Sequence, residues 1–163
     1  MAGMALACAF LVIVFALALT LGRLMANPQQ RQLGSDIQRF APTLLPIALG
    51  YHIAHYLPSF MVDIQWFLVA VSDPMATGAD WLGLGEFYVS TGFFNSKSSV
   101  KAIYLTQASA VVLGHIIAVL SAHAVALKTY ETHRLAVLSQ VPLAVFMLAY
   151  TYFGLWLLAS PRF

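Results

Sequence analysis

Charge is scarce in this chain. Of 163 residues only 9% are Asp, Glu, Lys or Arg, against about 25% in soluble domains. The eight cations are scattered, and the formal net charge is +2. With no basic run or stripe, nucleic acid is excluded as a partner. Cysteine is limited to Cys8, so no intrachain disulfide can form, and no CxxC or Cys/His zinc pattern exists. Cys8 lies in an apolar run, where packing is its expected role. HExxH does not occur. The only GxG pair, Gly83 and Gly85, lacks a third glycine and a preceding strand, so it is not a nucleotide motif.

Apolar side chains are abundant: 61% of residues are hydrophobic, with a mean hydropathy of +0.82. The pattern predicts an all-α polytopic membrane bundle, one integral domain over 1–163, with about four spans at 4–22, 43–60, 101–127 and 135–158. Met4 to Leu21 is uncharged and closed by Arg23. The segment before it has no Lys or Arg, and no small-x-small cleavage site follows. These features favour a retained transmembrane helix over a signal peptide. In the polar connector after it, Ser35 and Asp36 can cap a short interfacial helix ending before Pro42. The apolar segment from Thr43 to Val71 is too long for one upright span. Pro46 falls in its first turn, whereas Pro58 is expected to kink or break it, leaving a second helical piece from about Val62 to Val71. Asp63 then reads as a solvated interfacial carboxylate.

The 72–100 loop is rich in Gly and Ser but carries Trp81, Phe87, Tyr88, Phe93 and Phe94. That aromatic density predicts a structured loop, folded on the bundle or seated at the interface. With four spans, the first and third connectors share one side, which carries Arg23, Arg31, Arg39, Lys128 and Arg134. The other side carries Lys97, Lys101 and Arg162. This bias makes the first side cytoplasmic and places both termini and the 72–100 loop in the periplasm.

The histidines are the candidate site. His52 and His55 lie in the second span, His115 and His123 in the third. An ionisable group at membrane depth suggests a functional site by default. At 1.5 Å rise per residue, His55 and His115 each fall roughly 18 Å from the first-side surface. They are therefore expected to face each other, with His52 and His123 on the same seam. Three readings remain open for these four residues. The imidazoles can be packing groups that hydrogen-bond across helices. His55 and His115 can hold a haem iron, with Gly114 leaving room for the macrocycle. Two to four of His52, His55, His115 and His123 can hold a transition metal. Tyr51 and Tyr56 flank the first pair and could fix a tautomer. His133 lies in a connector and reads as a solvated residue. The spans contain no carboxylate to serve as base, so no catalytic residue can be named.

The stretches PIALGYHIAHY, GHIIAVLSAHAVAL and QVPLAVFMLAYTYFGLWLLASP resemble the C-terminal region of the bacterial fenitrothion hydrolase-like integral membrane proteins. The resemblance runs from Pro46 to Pro161. It implies a polytopic protein of the bacterial inner membrane with His52, His55, His115 and His123 at the family's histidine positions. Relatives of that kind have additional spans, which implies a shortened form or one piece of a split protein. Two functions follow as expectations. The chain is a small integral subunit of a larger bacterial membrane complex, partnered by lipid and other membrane subunits. The alternative is a metal-dependent membrane hydrolase acting on organophosphate esters.

Overall fold

A computed structural model describes residues 2–26, 33–85 and 89–159. Arg31, Phe87, Tyr88 and Arg162, used above, lie outside them. Among the described residues every regular element is helical: α1 (Ala2–Ala26), α2 (Leu33–Phe40), α3 (Leu45–Ser72), α4 (Lys97–Thr129) and α5 (His133–Ala159). Short 3₁₀ turns at Ala41–Leu44 and Gly92–Phe94 precede α3 and α4. The fold is all-α, as the composition requires.

Helices α1, α4 and α5 are long and apolar enough to cross a membrane, so the chain is a multi-pass membrane protein. α3 matches them in length, but, with its His, Pro, Asp and Gln residues, it is not among the helices apolar enough to qualify as a span. α2 occupies the place expected for the interfacial helix. Asp36 sits in its first turn, where a carboxylate opposes the positive end of the helix dipole.

The chain divides into two compact units, one made of 1–50 and 111–163, the other of 51–110. The first unit holds the core. Phe15, Ala18 and Leu19 of α1 meet Phe40 of α2, Ala118, Ala122 and Ala126 of α4, and Ala136, Leu143 and Met147 of α5. Alanine dominates because the backbones approach closely. A methyl group at Gly22 would overlap the Ser139 carbonyl of α5, and one at Gly114 would strike the Pro46 carbonyl of α3. Small residues at such crossings are the usual device of helices packed in lipid. Large apolar side chains point outward instead: Leu6, Phe10, Leu148 and Tyr152 are each more than 60% exposed. Cys8, expected to pack, is also exposed.

In the second unit α3 runs without interruption through Pro58, contrary to the expected break. A proline removes the N–H that would bond the carbonyl four residues earlier, here that of Ala54. Gln107 of α4 supplies the missing donor, its Nε2 reaching the Ala54 oxygen at 2.6 Å. Ala54 is buried, so water cannot do the same.

The loop after α3 is ordered by two copies of one turn. Asp73 accepts the N–H groups of Thr77 and Gly78, one on each carboxylate oxygen, at 2.9 and 2.7 Å. Seven residues on, Asp80 accepts those of Leu84 and Gly85 at 2.8 and 2.7 Å. In each copy the third and fifth residues after the aspartate have positive φ: Ala76 and Gly78, then Gly83 and Gly85. The glycines are there because this backbone region is open to them at little steric cost. Ser72 donates to Asp80 at 2.8 Å, tying the second turn to the end of α3. Further along, the Gln65 side chain copies a peptide group, exchanging two hydrogen bonds with the Ser90 backbone at 2.8 and 3.0 Å.

Two outcomes are expected. Gln107→Leu should destabilise the protein by about 1–3 kcal/mol, the cost of an unsatisfied buried carbonyl. In a Pro58→Ala background the helix regains its own donor, and the same substitution should cost under about 1 kcal/mol, as read by a double-mutant cycle in bicelles. The second outcome concerns pH. The N–H of Thr77, aided by that of Gly78, holds Asp73 below the usual carboxylate range against partial desolvation. The N–H of Gly85, then the Ser72 hydroxyl and the Leu84 N–H, do the same for Asp80. Because the folded values are depressed, this stabilisation is complete above the unfolded carboxylate value of about 3.9 and is lost as pH falls through the folded values. The Gly78 and Gly85 amide resonances should therefore stay fixed from neutral pH to about 4 and move only below it. Movement near neutrality would contradict this assignment.

Candidate functional site

The histidines are placed by helix geometry, and each unit gives its own pair different partners. On α3 the three-residue offset sets His52 and His55 on adjoining positions of one face, and both are exposed. Tyr56 lies between them. Its ring centroid is 4.6 Å from that of His52 and 5.1 Å from that of His55, edge-on to the latter. Asp63, farther along α3, is exposed as well.

In the other unit His115 is buried. Its Nδ1 lies 2.8 Å from the Val111 carbonyl one turn earlier. A carbonyl only accepts, so Nδ1 carries a proton and donates it. The His115 ring stands 6.4 Å from Tyr150 of α5. It also forms part of the wall of an apolar groove of about 450 Å³ between α4 and α5, with Val112, Val119, Met147, Leu148 and Thr151. The Thr151 hydroxyl is committed to the Met147 carbonyl at 2.7 Å, so the groove offers almost no polar contact.

Two turns later His123 meets other groups. Gln140 of α5 donates from Nε2 to the Ala136 carbonyl at 2.9 Å, which fixes the orientation of its amide. Its second N–H points to His123 Nδ1 at 3.2 Å. His123 is therefore held in the tautomer opposite to that of His115, with its proton on Nε2. His133 packs edge-on against it, centroids 5.6 Å apart.

His52 and His55 thus belong to the 51–110 unit, and His115 and His123 to the unit of 1–50 and 111–163. The ring partner of His123 is His133, which is exposed, as the sequence expects. Among the described residues no three His, Cys, Asp or Glu side chains converge as metal ligands would. The space beside Gly114, expected to admit a macrocycle, is filled by the Pro46 backbone.

Sequence reasoning missed Gln107 and Gln140. Each is the single glutamine of its span, and a lone amide in an apolar run is a signal that a buried acceptor needs a donor. It also missed the column Gly114, Ala118, Ala122 and Ala126, all buried, although the four-residue spacing of small side chains is plain in the sequence. Comparison with family models, curated proteins and solved structures gives no match to this chain.

Proposed function

We propose that the chain is a small integral subunit of a larger complex in the bacterial inner membrane, with α3 as the helix through which it meets the rest of the assembly. The observation that supports this reading is the exposure of His52, His55 and Asp63 on α3, a helix of span length in a multi-pass membrane protein. Polar groups facing lipid are costly and are normally paired with one another or turned to protein. The first half of α1, apolar and exposed on all sides from Ala5 to Phe10, is likewise a helix with room for lipid or partner. The cation bias favours the orientation with termini and loop in the periplasm.

The test is blue-native separation of gently solubilised membranes. The 17.8 kDa chain should migrate in an assembly larger than itself. His52→Leu and His55→Leu together should release it, since leucine makes the exposed face compatible with lipid. Migration of the wild-type chain as a monomer would refute the reading.

A second reading, a cofactor-bearing subunit, draws on one observation, the tautomer of His115. A histidine that ligates a metal donates its other nitrogen to a carbonyl or carboxylate, as Nδ1 does to Val111. Metal analysis and an absorption spectrum of the natively purified protein decide it. Stoichiometric metal, or a reducible Soret band, that disappears in His115→Ala supports the reading. Absence of both signals in the native protein refutes it.

A further inference from the structure

The exposed polar groups of α3 form a pattern that is its own reverse. His52, Tyr56, Ser59 and Asp63 are all exposed, and their spacings are four, three and four. At 3.6 residues per turn they lie within a stripe about 60° wide and roughly 16 Å long. Reversed, the stripe sets His52 opposite Asp63 and Tyr56 opposite Ser59. Each pair joins groups that hydrogen-bond one another: imidazole with carboxylate, phenol with hydroxyl.

We propose that the occupant of this face is a second copy of the chain, with the two α3 helices antiparallel. The proposal rests on the reading of α3 as an interface and names the partner. A two-fold axis between Leu57 and Pro58 places His52 of each copy against Asp63 of the other. That axis lies within one residue of the midpoint of Leu45–Ser72, so the helices overlap along their whole length. The same register brings Leu49 onto Trp66, and these flanking side chains are 62% and 61% exposed. Apolar residues thus extend the contact on both sides of the polar stripe. A parallel pair would instead set histidine on histidine and Asp63 on Asp63, like against like. A contact in which the same patch serves both subunits closes on itself and ends at two.

An antiparallel pair needs copies in both membrane orientations. The loops permit this. On the four-span topology five cations lie on one side and three on the other, a bias small enough for both orientations to be populated.

The experiment uses the full chain in native membranes, with Cys8→Ser to remove the endogenous thiol. Two differently tagged forms are co-expressed, one carrying His52→Cys and the other Asp63→Cys. Mild oxidation should yield a cross-linked product of twice the chain mass in the mixture, and little from either form alone. Cross-linking by His52→Cys alone would indicate a parallel pair and overturn the proposal. So would a product containing a different polypeptide, although the subunit reading would then stand. The absence of any product, with the chain monomeric in the native gel, would overturn both. A charge swap supplies the second arm. His52→Asp and Asp63→His should each reduce dimer by about tenfold or more, and the double swap should restore it to within about twofold of wild type. A double swap no better than the single substitutions would overturn the pairing.

Discussion

One hydrogen bond allows the second half of α3 to exist as a helix: the Gln107 amide on the Ala54 carbonyl. Ala54 is buried, so no solvent can take over the abandoned backbone acceptor and a neighbour must compensate the proline. Pro58 creates the vacancy and α4 fills it. The bond also fixes which side of α3 is turned inward, because Ala54 must face Gln107. The opposite side, bearing His52, Tyr56, Ser59 and Asp63, is thereby turned away. Inward packing and outward chemistry on this helix follow from one constraint.

The other unit is held by a different means. Its core is built largely from alanine, and its tightest contacts are glycine against carbonyl, Gly22 on Ser139 and Gly114 on Pro46. Such a core removes little apolar area, and in water it would be a poor source of stability. Between helices already in lipid the balance differs, because association depends on close van der Waals approach and interhelical hydrogen bonds. Gln140 and His123 provide one such hydrogen bond where α4 and α5 run side by side.

Much of the architecture was legible in the sequence. The helical class, three of the apolar spans and the short helix before Pro42 all follow from composition and punctuation. What escaped has a common physical origin. Pro58 reads locally as a breaker, and only a residue 49 positions later shows why it is not. Gly114 reads as space for a ligand until the turn at Pro46 is found in that space. Local rules describe what a residue prefers. They do not contain the neighbour that satisfies it.

The two aspartate turns bear on the order of assembly. Every hydrogen bond within them joins residues at most five apart, so each can close as soon as its own few residues are free of the ribosome. The Gln65–Ser90 exchange spans 25 residues and must wait for the whole loop. Short closures of this kind are among the fastest events in folding. The loop can therefore shorten and stiffen before α4 is complete. Since a flexible segment between two spans costs more entropy to close the longer it is, two pre-formed turns reduce the search by which α4 finds α3 and Gln107 reaches the waiting carbonyl.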